Sequence, residues 1–214
     1  MKKIFVIFML FIISITGYAE KDVVKFLGIP VDGSKKELEK RLIAKGFKKN
    51  LYEKNVLEGK FNGKDVFVGI GTNNDKVYRI GVIDQVPQNE ENIKINFNKL
   101  LEQFKNNGRY IVLDDYRIPE KEDISYEMIV KNKRYEAVFY QMGTKEEVRK
   151  ILLKKYTEKQ IDNPNKKLKK EIDEYLFEIY SKKLVWFMIQ NLNGEYNISI
   201  FYDNVYNQAN GEDL

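Results

Sequence analysis

The 214-residue chain contains no cysteine and no histidine, only four prolines and a single tryptophan. Without cysteine and histidine there is no Ser-His-Asp triad, no thiol nucleophile, no disulfide and no zinc site of nitrogen and sulfur ligands. A lipid anchor on a modified cysteine is excluded on the same ground. Beyond residue 19 there are only four serines, Ser34, Ser125, Ser181 and Ser199. What survives is paired-carboxylate chemistry, a Ser-Lys pair, a Lys or Tyr base, or an all-oxygen metal site. No cofactor is expected. Excess charge is also scarce, since 37 basic residues face 32 acidic ones for a net +5.

Lys2 and Lys3, the uncharged run from Ile4 to Ile15, and the small residues Gly17 and Ala19 have the three parts of a cleaved secretory signal peptide over residues 1–19. That run is far short of the roughly 20 apolar residues needed to span a bilayer. The expected mature protein begins at Glu20 and resides in the periplasm or outside the cell, with no transmembrane segment. It loses two lysines with the signal, so its net charge is +3. So near-neutral a chain argues against nucleic acid as the partner, because duplex binders concentrate positive charge.

Val31-Asp32-Gly33 leads into the capping box Ser34-Lys35-Lys36-Glu37, with Leu38 and Leu42 on the buried face, Ile43 beside it, and Gly46 just past the last turn. Three strands follow at Val56–Phe61, Asp65–Thr72 and Val77–Asp84, joined by Asn62-Gly63 and by Asn73-Asn74-Asp75-Lys76. Asn-Gly between apolar runs is a strong hairpin signal, because both central residues of the favoured turn need positive φ. Ile93, Phe97, Leu100, Leu101 and Phe104 then mark a second helix, with Glu90 and Glu91 in its first turn and Gly108 at its end. Strands are predicted again at Tyr110–Leu113, Tyr126–Val130 and Arg134–Gln141, the last two joined by Lys131-Asn132-Lys133.

Residues 146–182 have helical spacing in two stripes, Val148, Ile151, Leu152 and Tyr156, then Leu168, Ile172, Leu176 and Ile179, separated at Asn163-Pro164-Asn165. Two last strands, Leu184–Leu192 and Tyr196–Tyr202, flank Asn193-Gly194. Helix followed by strands thus recurs three times, giving units 20–86, 87–143 and 144–204 of a single α+β domain over 20–204. A polar tail occupies 205–214. Helices packed on antiparallel β-meander sheets satisfy every element.

Phe26-Leu27-Gly28-Ile29-Pro30-Val31-Asp32-Gly33-Ser34, Lys45-Gly46-Phe47 and Leu57-Glu58-Gly59-Lys60-Phe61-Asn62-Gly63 resemble an uncharacterised exported protein family of Gram-negative gut anaerobes. The likeness continues through Asn73–Ile80, Tyr135–Gln141 and Ala209–Leu214, covering nearly the whole mature chain. It implies export and one shared architecture, and supplies no mechanism. More distantly, the alternation of helix and β-meander is similar to the repeats of β-lactamase inhibitory proteins, which act by binding.

Several groups are candidates for chemistry. Asp114, Asp115, Glu120, Glu122 and Asp123 could supply oxygen ligands to calcium, although their spacing matches no calcium loop and a charge-rich connector ordinarily stays wet. The same acids, with Glu58 or Asp84, are the candidates for a glycosidase pair. Gly69-Ile70-Gly71 lacks the third glycine and the following helix of a phosphate loop, so these residues and Gly81 are expected to make room for a packed helix or a bulge. Lys154-Lys155 and Lys166–Lys170 lie in a segment of net +4 between 145 and 183, expected to be a solvated helix face or else a contact for an anionic surface. Tyr202, Asp203, Asn204, Tyr206, Asn207 and Asn210 mix aromatic faces with amide and acid groups and form the candidate ligand surface, against a tail that merely pairs with the last strand. The function expected from these features is an exported, non-enzymatic binding protein whose partner is a protein or a cell-envelope polymer. The alternatives are a carboxylate-type hydrolase acting on envelope or extracellular glycan and a structural envelope component.

Overall fold

The computed structural model describes residues 22–209 and Gly211. The expected signal peptide, Asn210 and residues 212–214 lie outside the described residues. A small hairpin of β1 (Lys25–Phe26) and β2 (Ile29–Pro30) precedes α1 (Lys35–Ala44). Then come β3 (Lys48–Lys49), β4 (Val56–Phe61), β5 (Lys64–Asn73), β6 (Lys76–Asp84) and α2 (Glu90–Asn106). The second half runs through β7 (Tyr110–Val112), α3 (Ile124–Lys131), β8 (Glu136–Gln141), α4 (Lys145–Leu152), α5 (Glu158–Asp162) and α6 (Lys166–Tyr180). It closes with β9 (Lys183–Leu192), β10 (Glu195–Asn204) and a 3-10 turn at Val205–Asn207. This is an α+β fold, and none of the described helices is long and apolar enough to cross a membrane.

Local chemistry explains most of the boundaries. Ser34 and Glu37 form both halves of the capping box of α1, and Leu38 and Leu42 are its buried residues while Ile43 is exposed. Gly46 has φ of +100° and closes the helix, a conformation that glycine reaches without a Cβ clash. Both Asn-Gly turns take positive φ at both residues, 50° and 77° at Asn62-Gly63 and 55° and 87° at Asn193-Gly194. In α2, Ile93, Phe97, Leu100, Leu101 and Phe104 are buried as their spacing requires. That helix ends on Asn107 in an extended conformation, and Gly108 is not left-handed.

The predicted strand at Tyr126–Val130 is instead the helix α3. Asp123 caps it by accepting from the Tyr126 amide at 2.8 Å, and Asn132, at φ 54°, terminates it in place of a hairpin turn. Only Ile124 of this helix is fully buried, so a five-residue apolar run lacked the length to separate helix from strand by period. The 146–182 region forms three helices in which Leu152, Ile172 and Tyr180 alone are fully buried.

Eight strands make one antiparallel sheet in the order β3-β4-β5-β6-β10-β9-β8-β7. The strands therefore fall into two four-strand meanders, each preceded by a helix, whose last strands β6 and β10 pair with each other. The third expected unit is not separate in this topology: α4–α6 are an insertion between β8 and β9 of the second meander. Along each strand alternate side chains face opposite sides. One side carries the core, where Phe97 packs on Phe187, Phe104 on Phe139, and Phe26 on Tyr202, and where α1, α2, α3 and the β1–β2 hairpin cover the sheet. On the other side α6 places Phe177 edge-on to Tyr140 at 5.7 Å.

Replacing Ser34 with alanine removes the cap of α1 and should cost about 1 kcal/mol, lowering the melting temperature by about 2–4 °C. An unchanged melting temperature would show that the cap contributes nothing.

Candidate functional site

Cross-strand register builds the face opposite α1–α3, helix-free except where α6 meets Tyr140, in rows. The central row runs Val56, Gly69, Gly81, Phe201, Trp186, Val138 across six strands. A second row beside it runs Gly71, Arg79, Asp203, Leu184, Tyr140, Ile111. A third holds Glu58, Phe67, Ile83, Ser199, Met188 and Glu136. The face is thus mainly apolar and aromatic, with one ion pair near its middle.

That pair is Arg79 and Asp203. Arg79 donates from Nε to Asp203 Oδ1 at 2.6 Å and from Nη2 to Oδ2 at 2.7 Å, and Trp186 Nε1 donates to the same Oδ2 at 2.9 Å. The Asp203 side chain is 2 % accessible and that of Arg79 31 %. Three charge-assisted bonds in bidentate geometry meet the desolvation cost of the buried carboxylate. The hydrogen bond to Asp203 and then the charge of that residue hold the Arg79 guanidinium above its ordinary pKa, against burial, so the cation is permanent.

Aromatic rings surround this guanidinium. Its Cζ lies 4.9 Å from the ring centre of Phe201, 5.4 Å from Trp186 and 5.7 Å from Tyr78. Trp186 and Phe201 stack at 4.4 Å and 28°. Tyr78 joins them because the register between β5 and β6 shifts at Gly71/Thr72, leaving Tyr78 as the extra residue and placing it on the same side as Arg79. Its ring closes over Gly71, where a Cβ would lie 3.0 Å from the Tyr78 Cζ. Next to this aromatic step, Gly69 leaves a trough and Gly81 is overhung by the Phe201 ring. A Cβ on Gly69 would meet nothing within 4 Å, whereas one on Gly81 would touch the Phe201 ring at 3.4 Å. Gly71 therefore sits at a bulge and Gly81 beneath the Phe201 ring, while among the described residues the expected packed helix does not lie over Gly69 and none follows to make a phosphate loop.

The structure disperses the six C-terminal candidates. Asp203 is the centre of the cluster just described. Tyr202 points to the opposite side, into the core, where burial first and then Tyr110 push its hydroxyl well above the ordinary phenol range. Asn204 Nδ2 donates to Val31 O at 2.8 Å, and Asn207 Nδ2 to Asp32 Oδ1 at 2.8 Å and Val77 O at 2.7 Å. These two asparagines latch the end of β10 and the 3-10 turn after it onto the segment before α1 and onto β6, so deleting residues from 205 onward removes the contacts of Asn207. Tyr206 is exposed, with Lys182 Nζ 5.6 Å from its ring centre. Asn210 lies outside the described residues.

The acidic candidates also go to separate partners. Asp115 pairs with Lys105 at 3.0 Å, Asp114 accepts from Tyr116, and Asp123 caps α3. The Glu120 carbonyl accepts from Lys94. Glu122 accepts from Lys133 and from the Tyr135 hydroxyl at 2.5 Å, and those bonds, Lys133 first, hold its carboxyl below the usual range. Among the described residues no three such acids gather where one metal ion could be held. Glu58 stands on the helix-free face, and Asp84 on the core face, paired with Lys64 at 2.5 Å, so these two do not form a carboxylate pair. The lysine clusters of α6 are exposed, with Lys167–Glu171 and Lys170–Glu174 pairs one turn apart.

Sequence reasoning passed over Arg79, Trp186, Phe201 and Tyr78. The signal for two of them was present, because a two-residue turn at Asn193-Gly194 already sets Phe201 opposite Trp186.

Asp203→Ala strands a guanidinium and an indole N–H, and should destabilise the protein by about 3 kcal/mol in denaturant unfolding, the low end for a broken buried pair because Arg79 reaches water. A loss under about 1 kcal/mol would mean that the pair behaves as a surface one. No protein-family model, curated protein or solved structure matches this chain.

Proposed function

We propose that the protein is an exported, non-enzymatic binding module that engages a protein partner across the helix-free face of its sheet. The observation that carries this is the Arg79–Asp203–Trp186 cluster beside the open position at Gly69. Binding energy at protein interfaces concentrates in a few Trp, Tyr and Arg residues near the centre of a patch. Here one of each, with Phe201, stands at the middle of a six-strand face. Association ordinarily costs side-chain ordering of about 0.5–1.5 kcal/mol per mobile side chain, and a fixed guanidinium and indole avoid most of that.

A glycan is less well served by this arrangement. Sugar stacking needs a free ring face, and Trp186 stands in register between Phe201, already stacked on it, and Val138. Knobs from a protein segment need only a depression with polar groups at its edge, which the trough and Arg79 provide. Similarity of element order to inhibitory proteins that act by binding points the same way.

The test is in-cell crosslinking of the tagged protein, followed by mass spectrometry of the captured species, for four forms. The wild type and Ile43→Ala, altered on the exposed side of α1, should capture the same discrete partner. Trp186→Ala and Gly69→Trp should lose it, the latter while keeping its melting temperature because a Cβ at that site meets nothing within 4 Å. Undiminished capture by both face variants would remove the reading.

A further inference from the structure

The helix side of the sheet holds a second feature, a cleft of about 690 Å³ between the β1–β2 hairpin and the C-terminal half of α2. That volume falls within the range of roughly 300–1,000 Å³ typical of small-molecule sites. Tyr202, Phe61, Phe104 and Tyr110 give it an aromatic lining, and Leu27 and Leu100 extend the apolar wall. An annex of about 170 Å³ shares Phe61, Asn62, Leu100 and Gln103 with it and adds Lys64, Lys99 and Asp84. The walls are fixed in place: Gln141 receives the Lys25 amide at 2.7 Å, returns a bond to the Lys25 carbonyl at 2.9 Å, and donates to the Tyr110 hydroxyl at 3.3 Å.

The charges of this lining do not cancel. Its described acids are Asp22, Glu147 and Asp84, and each already pairs with a lysine of the same lining, Lys183, Lys25 at 3.7 Å and Lys64 at 2.5 Å respectively. Three cations remain. Lys60 shares Asp65, which lies outside the lining, at 3.0 Å, while Lys99 and Arg109 have no ion-pair partner among the described residues. The C-terminus of α2 opposes them with about half a negative charge, which these cations outweigh. A pocket with a surplus of positive charge at exposed side chains and aromatic walls within suits one ligand chemistry.

We infer that this cleft binds a small organic anion, a carboxylate, phosphate or sulfonate carried on an aromatic or acyl body. Arg109 takes the anionic end, Lys99 in the annex adds to the positive field there, and the body lies against Phe61 and Phe104. The site is on the other side of the sheet from the Arg79–Trp186 face, so the inference does not depend on the partner reading.

A fluorescence titration with anilinonaphthalene sulfonate tests it, with uncharged phenylnaphthylamine as the matched probe lacking the anion. The sulfonate should bind saturably at one site and more tightly than the neutral probe. Arg109→Gln and Lys99→Gln should each weaken it by up to about tenfold, as for the loss of a charge-assisted bond. Gln103→Trp, at an exposed position of α2 on the cleft, should abolish it; circular dichroism and melting temperature confirm that each variant is folded. Absence of saturable binding, equal affinity for the neutral probe, or indifference to both Arg109→Gln and Gln103→Trp would overturn the inference. So would a signal lost in Trp186→Ala and kept in the cleft variants, which would place the probe on the opposite face.

Discussion

Asp203 sits where the last strands of the two meanders pair, and much of the molecule's character follows from keeping that carboxylate charged and dry. Its cross-strand partner Arg79 belongs to the first meander, and Trp186 comes from the next strand of the second. A buried carboxylate is costly unless an opposite charge and hydrogen-bond donors replace the water it loses. Here two guanidinium bonds and an indole bond meet that need, and in meeting it they tie three strands together across the joint. The same bonds stop Arg79 and Trp186 from sampling rotamers, leaving them ready for contact. Stability of the joint and presentation of the face are therefore one interaction viewed from two sides.

The two sides of the sheet are used differently as a result. On the core side, phenylalanines interlock with α2, and the phenol of Tyr202 is held neutral by burial. On the other side, α6 meets the sheet at Tyr140, and Gly69 near the centre has no side-chain or backbone atom over it within 4 Å among the described residues. A single β-bulge makes the difference at Tyr78, since without the extra residue Tyr78 and Arg79 would face opposite ways. Glycine does the complementary job at Gly69, where absence of a side chain creates the depression next to the rings.

Much of this was readable from the chain, and the losses have physical causes. Helix caps at Ser34, the heptad-like apolar spacing of α2 and the Asn-Gly turns at 62–63 and 193–194 act over a few residues, so their outcome is decided locally. The α+β class and the long strands followed from them. What failed depended on distance. The run at Tyr126–Val130 is compatible with either period, and a cap at Asp123 settled it as helix. Pairing of β6 with β10 joins residues more than a hundred positions apart, and no turn encodes it. Consequently Arg79 could not be placed beside Asp203, and the third helical segment could not be distinguished from a third repeat. Proximity in sequence misled in the other direction: Tyr202 and Asn204 flank Asp203 but point to the opposite face.

The central claim is that the helix-free face, and not the helical layer, meets the partner. A photoreactive amino acid incorporated at Val56, across from Gly69 on that face, and separately at Ile95, exposed on α2, tests it directly in the living cell. The account predicts a covalent adduct with one partner from position 56 and none from position 95. Adducts from position 95 alone would place the interface on the helices and contradict it.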